Sequence, residues 1–226
     1  MSFFTLHAPT VYLNVFARPD IADSYDDYYR TDMGQHVDLL EKAVVSELLQ
    51  RIPRGAMLEA GCGTGHWSSY FLEQGFNVTG IDASEAMLSI ASEKKLDAQL
   101  MKADVHALPF EDEQFPVVAS ITMLEFVEDQ DCALRELYRV LQPGGWLLLG
   151  ALNARSVLAL TQPRDETFRH ANFMTPEELT AKLQLFGEPE SRYCVHLTHD
   201  FQLIDGTPEA RYIHPVFMAA AVQKIR

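Results

Sequence analysis

Apolar positions along the chain follow two alternating rhythms. Short apolar runs at 57–60, 78–81, 99–101, 117–122 and 146–149 read as buried strands. Between them apolar residues recur every three or four positions, which predicts helices at 66–74, at 84–93 with Ser84 as N-cap, and at 131–141 with Leu134, Leu137, Tyr138 and Leu141 on one face. An earlier helical stretch carries Val37, Leu40, Val44, Val45, Leu48 and Leu49, and Pro53 and Gly55 stop it. Strands and helices alternating in this way predict an α/β fold, a parallel sheet covered on both faces. After Gly150 the rhythm breaks, and residues 151–173 show no clear period. Thr175-Pro176-Glu177-Glu178 then reads as a capping box with proline at the first helical position, and strands are predicted at 192–197 and 216–223. No internal repeat or low-complexity tract divides the chain, so a single domain over 1–226 is expected, with 1–52 as an N-terminal helical cap.

The first strand ends in Glu59-Ala60-Gly61-Cys62-Gly63-Thr64-Gly65, and the second closes on Asp82. Glycines let a backbone turn sharply off a buried strand and approach a ligand with no Cβ in the way. The helix that follows offers free N–H groups to electron-rich atoms. A carboxylate at the end of the next strand can accept hydrogen bonds from both hydroxyls of a ribose. A dinucleotide loop of the form G-x-G-x-x-G needs its third glycine where this chain has His66, and Glu59 beside the loop repels a pyrophosphate but suits a ligand with an ammonium group.

Charge narrows the partners. Thirty-two acidic against 18 basic residues give a formal charge of −14, which repels a phosphate backbone, so nucleic acid is not an expected substrate. The 3 cysteines, Cys62, Cys132 and Cys194, make no disulfide framework and suit a reducing interior. The start of the chain lacks a basic segment followed by a long apolar one, and no apolar run reaches the length of a membrane span, so a cytoplasmic location without membrane insertion is expected.

The loop and its neighbours resemble class I S-adenosylmethionine-dependent methyltransferases, whose first motif is E/D-x-G-x-G-x-G. From about Tyr25 onward the chain is similar to the group called type 11, which includes the ubiquinone and menaquinone methylases. Ile81-Asp82-Ala83-Ser84-Glu85-Ala86-Met87-Leu88 matches its second motif, Ala103-Asp104-Val105-His106-Ala107-Leu108-Pro109-Phe110 its third, and the stretch from Ser120 through Thr122 and Met123 to Asp129 its fourth. The resemblance implies a Rossmann-like, doubly wound sheet of seven mostly parallel strands with an antiparallel last strand. It implies cofactor contacts from Tyr25, Tyr29, Glu59, Gly61, Cys62, Gly63, Gly65, Asp82, Ala83, Met87, Asp104, Val105, Thr122 and Met123, with the ribose on Asp82, adenine beside Asp104, Val105 and Met87, and the methionine end toward Glu59. Pro116 departs from the aspartate usual after the phenylalanine that opens the fourth strand, and fits a strand start. The Asn/Asp-Pro-Pro-Tyr sequence of amino-methylating DNA enzymes is absent.

The implied reaction is methyl transfer from S-adenosylmethionine to a small-molecule acceptor, leaving S-adenosylhomocysteine. It needs no obligatory catalytic residue, because the main task is to hold the nucleophile in line with the methyl carbon. A hydroxyl or carbon acceptor needs a base, for which His66, Glu125, Tyr25 and Tyr29 are candidates, and tyrosine faces also favour a sulfonium charge. A solvated loop acid is the bland alternative for Glu125, and aromatic packing on the sheet edge for the tyrosines. A protein that holds the cofactor without turnover and a nicotinamide-dependent oxidoreductase are the competing functions. Residues 151–174 fall where the family places substrate-covering elements. There Val157, Leu158, Leu160, Phe168 and Phe173 either line an apolar pocket, with Arg155, Arg164 and Arg169 available for an anion, or seal the sheet edge. Cys194, His196, His199 and Asp200 lie close in sequence, but Cys194 and His196 share one face of a predicted strand and nothing completes a shell, so no metal is expected.

Overall fold

A computed structural model describes residues 14–161, 166–204, 206, 208 and 213–225. The leader comprises a 3-10 turn (Val15–Ala17), α1 (Pro19–Tyr25), a second turn (Tyr28–Arg30) and the long α2 (Asp32–Leu49), whose N-cap Thr31 accepts from the Gly34 amide. Strands and helices then alternate: β1 (Ala56–Ala60), α3 (His66–Glu73), β2 (Asn77–Asp82), α4 (Glu85–Glu93), β3 (Gln99–Lys102), β4 (Phe115–Ile121), α5 (Gln130–Val140) and β5 (Leu141–Leu152). A short α6 (Val157–Thr161), α7 (Pro176–Leu183), β6 (Glu190–Cys194), β7 (His196–Leu197), β8 (Leu203–Ile204) and β9 (Phe217–Gln223) complete it. Ser84 caps α4, and Thr175 and Glu178 form both halves of the capping box on α7.

Seven strands make one sheet in the order β3-β2-β1-β4-β5-β9-β6. All neighbours from β3 to β5 are parallel, whereas β9 runs antiparallel between β5 and β6. Successive strand residues point to opposite faces, and both faces are covered. Leu58, Val118, Leu147 and Leu149 pack with Leu134 and Leu137 of α5 and Leu179 and Leu183 of α7. Their chain neighbours Met57, Val117 and Leu148 pack with Val45, Leu48 and Leu49 of α2 and Trp67 and Phe71 of α3. This double burial explains the continuous apolar runs in the strands. Sheet order reverses between β1 and β4, and in open α/β sheets the crevice beyond the carboxyl ends at such a reversal is where ligands bind.

Three local expectations change. Pro116 is the second residue of β4 and sits where the register against β5 shifts between Phe115 and Val117. A bulge is a place where a missing N–H costs the ladder nothing. β5 starts at Leu141, directly after α5, and is longer than the apolar run 146–149. The strand predicted at 192–197 is two strands: Val195 adopts φ 60°, a left-handed value that is an outlier for a β-branched residue. Cys194 therefore pairs with Phe217 in the main sheet, and His196 with Ile204 in a separate two-stranded ribbon, so the two do not share a strand face. Among the described residues no group of three or more His, Cys, Asp or Glu is placed to hold a metal ion, and no helix is long and apolar enough to cross a membrane.

Candidate functional site

The loops beyond β1, β2, β3 and β4 meet the leader around a cavity of about 720 Å³. From β1 the chain turns through Gly61, Gly63 and Gly65, all at positive φ, and Gly65 is the N-cap of α3. Gly61 has no room for a side chain, because a Cβ there would lie 2.2 Å from Met123 Cγ. Gly63 faces open space, with nothing within 4 Å of a Cβ position. The amides of Gly61 and Cys62 both donate to the Ile81 carbonyl, which fastens the loop to the end of β2.

Asp82 sits at that end with one carboxylate oxygen accepting from the Gly63 amide at 2.9 Å and the other from the Ser84 amide at 2.8 Å. Burial pushes its carboxyl up against the effect of these bonds. Each oxygen keeps a lone pair for a further donor. Beyond β3, Asp104 accepts from the His106 amide and faces the His106 ring, with Nδ1 at 2.7 Å, and this holds its carboxyl below the usual range. Beyond β4, Thr122 adopts φ 49°, and its amide donates to the Gly150 carbonyl. A β-branched residue held in that conformation is strained, and such strain clusters at ligand sites.

The leader closes the remaining side. Phe16 packs edge-on to Tyr25 and Phe126, and its carbonyl accepts from the Ser84 hydroxyl at 2.6 Å. Asp26 accepts from the Thr64 hydroxyl at 2.7 Å and pairs with Lys94 at 2.6 Å, which ties the leader to the glycine loop and α4. The Tyr29 ring stacks on His66 with centroids 3.6 Å apart, and His66 Nε2 lies 2.7 Å from Asp38 of α2. Desolvation pushes the Tyr25 hydroxyl up to about 12, so it stays protonated at neutral pH.

Of the residues expected at the site, Tyr25, Tyr29, Gly61, Cys62, Gly63, Asp82, Ala83, Met87, Asp104, Val105, Thr122 and Met123 all line this cavity, as does His66. Gly65 and Glu59 do not. Glu59 is 2% exposed beneath the loop, accepts from the Ser68 hydroxyl, and has its carboxyl pushed up to about 8 by burial. It faces α3 and braces the loop from behind. Glu125 is neither a solvated acid nor a cavity residue. It is fully buried, one oxygen accepting the Leu152 amide, its carbonyl accepting the Asn172 amide, and its carboxyl pushed up to about 7 by desolvation.

No described residue of 151–174 lines the cavity. Leu158, Phe168 and Phe173 pack on the α2 side of the core, while Leu160 is 70% exposed. Phe168 reaches the site at one remove, through its contact with cavity-lining Phe126. Arg155 pairs with Glu177 on the surface, Arg169 is exposed, and Arg164 lies outside the described residues. Phe16, Thr64, His106 and Phe126 were not anticipated. Thr64 and His106 stand inside or beside the motifs and were within reach of sequence reading. Phe126 also stands inside the fourth motif, but Phe16 carries no local signal, because its pairing with Phe126 depends on the leader folding back over β4.

Residues 58–149 match the family described as Methyltransferase domain. An uncharacterized protein of Methanocaldococcus jannaschii is 29% identical over 180 residues, 77% of this chain and 81% of that protein. A malonyl-[acyl-carrier protein] O-methyltransferase of Enterobacter lignolyticus is 35% identical over 162 residues, 68% of this chain and 64% of its own length, so the chain spans a little less than two thirds of that relative. Among solved structures, a Thermotoga maritima protein described as a SAM-dependent methyltransferase and possible histamine N-methyltransferase superposes with a TM-score of 0.74 at 22% identity, over 92% of this chain and 98% of that one. That likeness is one of fold.

Proposed function

We propose that this chain, whose residues 58–149 match the methyltransferase domain family, is an S-adenosylmethionine-dependent methyltransferase whose cavity binds S-adenosylmethionine and directs the methyl group to a small-molecule acceptor. The observation that carries this reading is the convergence of the glycine loop, Asp82, the 104–105 turn and the strained Thr122 on one cavity roofed by tyrosines. The residues present fit the ligand. Asp82 is fixed by two amides with lone pairs left for ribose hydroxyls. Gly63 leaves open space for a close approach, Met87 and Val105 offer apolar contact beside Asp104, and the Tyr25 and Tyr29 rings suit a positive sulfonium.

When bound, the cofactor supplies an electrophilic methyl carbon on a good leaving group. The protein's contribution is to orient the acceptor in line with that carbon, on a cavity whose leader side is walled by Phe16, Tyr25 and Tyr29. A strongly acidic chain favours a small acceptor over nucleic acid.

Titration calorimetry with S-adenosylhomocysteine on the full chain tests the reading. Binding is expected, with Asp82→Ala weakening it at least tenfold, about 1.4 kcal/mol. No heat and no thermal shift at millimolar ligand would defeat the proposal, and binding of NAD(H) instead would return it to the oxidoreductase. Transfer of a labelled methyl group to a metabolite pool separates an enzyme from a protein that only holds the cofactor.

A further inference from the structure

One titratable cavity residue, His66, is left over when the cofactor contacts are assigned. His66 opens α3 and lines the cavity, and its Nε2 lies 2.7 Å from Asp38 Oδ1. Asp38 comes from α2, and its other oxygen takes the Lys42 ammonium at 2.7 Å. Both side chains of the pair are only 18% exposed. The imidazole cannot rotate freely, since one face lies on Tyr29 with 8° between the planes and Trp67 meets it edge-on. Asp26, held by Thr64 and Lys94, is the other acid near the ring.

This arrangement sets the tautomer. A carboxylate only accepts, so Nε2 carries the hydrogen and Nδ1 carries the lone pair. Nδ1 makes no hydrogen bond with any described residue. An imidazole with one nitrogen anchored to a half-buried carboxylate and the other without a hydrogen bond to any described residue is built to take a proton.

We propose that His66 is the general base for the acceptor, that Asp38 positions it, and that the acceptor therefore presents a phenolic or enolic hydroxyl to the methyl group. This rests on the methyltransferase reading above. A carboxylate acceptor is already ionised and needs no base, and a neutral amine attacks through its own lone pair. An aliphatic alcohol is too weak an acid to give its proton to an imidazole, whereas a phenol, with its pKa of about 10, is within range. In the step, the acceptor O–H gives its proton to Nδ1 and an oxygen lone pair forms the new bond to the methyl carbon. The carbon–sulfur bond breaks with its electron pair staying on sulfur, which becomes neutral. Asp38 balances the imidazolium that results.

The test uses the full chain with labelled S-adenosylmethionine, catechol as the hydroxyl probe and benzylamine as the amine probe, for wild type, His66→Gln and Asp38→Asn. Glutamine keeps a donor for Asp38 but is no base. Catechol is expected to be methylated and benzylamine not, with kcat for catechol on the order of 10²–10⁴-fold lower in His66→Gln. KM and the affinity for S-adenosylhomocysteine should stay within a few-fold. Nitrogen-15 NMR of wild type should show His66 as the Nε2–H tautomer, and Asp38→Asn should lose that preference together with kcat while keeping KM. Unchanged kcat in His66→Gln, methylation of benzylamine but not catechol, methylation of neither probe by protein that binds S-adenosylhomocysteine, or an Nδ1–H tautomer in wild type would each overturn the assignment. Wild type that fails to bind S-adenosylhomocysteine removes the methyltransferase reading as well, which distinguishes the two failures.

Discussion

Alanine at the two glycines flanking Cys62 should separate packing from ligand approach. Both sit at left-handed φ, 77° for Gly61 and 53° for Gly63. That geometry costs an L-residue roughly 1–2 kcal/mol at either place. The surroundings differ. A Cβ on Gly61 falls 2.2 Å from Met123 Cγ and 2.5 Å from Met123 Cβ, whereas one on Gly63 meets nothing within 4 Å. Met123 has little freedom to retreat, since its carbonyl accepts the Phe126 amide in the turn after β4. Overpacking of this kind adds about 1–3 kcal/mol. Gly61→Ala is therefore expected to lose about 3 kcal/mol, and Gly63→Ala only the conformational share. In a domain of this size each kcal/mol moves the melting temperature by roughly 2–4 °C, so Gly61→Ala should melt roughly 6–12 °C below wild type. Gly63→Ala should stay folded but bind S-adenosylhomocysteine at least tenfold more weakly, about 1.4 kcal/mol, because its methyl group stands where the ligand approaches. Scanning calorimetry reads the first effect and titration calorimetry the second. Equal melting temperatures for the two variants would refute the packing argument, and wild-type affinity in Gly63→Ala would refute the placement of the ligand.

Two further outcomes follow from the buried acids and the leader. Burial pushes the carboxyls of Glu41 and Glu59 up to about 8 and that of Glu125 up to about 7. Folded protein thus keeps protons that the unfolded chain releases from about pH 4.3 upward, so the contribution of these groups is fully present below the unfolded value and is lost as pH rises toward 8. Glu59→Gln should show a smaller loss of urea midpoint between pH 5 and pH 8 than wild type, and an identical loss would contradict the assignment. Asp26→Asn should release the leader from Thr64 and Lys94, giving faster amide exchange over residues 14–31 and several-fold weaker S-adenosylhomocysteine binding with a nearly unchanged melting temperature. Wild-type exchange in the leader would show that this tie does not hold it.

The strands of the parallel half were readable because a strand buried on both faces leaves an unbroken apolar run, as in 117–121 and 146–149. Caps were readable because Ser84 and Thr175 act on amides three residues ahead. The glycine loop and Asp82 were readable because each follows directly from the strand that carries it. Glu59 was misplaced for the opposite reason. Its proximity in sequence to the loop says nothing about which face of β1 it takes, and the pleat turns it toward Ser68 of α3 instead of the cavity. Glu125 was misjudged because no local pattern marks an acid that the ends of β5 and the 172 segment will enclose. The strand at 192–197 looked continuous because Val195 has every preference for one, and only its tertiary setting imposes the left-handed break.

By itself the sequence determined the succession of elements, the glycine turn and the carboxylate at the end of β2, all of which depend on residues within a few positions of one another. Only the tertiary structure decided that Asp38 meets His66 across 28 residues, that Asp26 meets Thr64 across 38, and that Phe16 and Phe126 roof the cavity. Periodicity records which face of an element is buried, but not which distant side chain arrives on the other side. That choice is made when the sheet order and the docking of the leader close long loops, and the pairing of Asp38 with His66 comes from it.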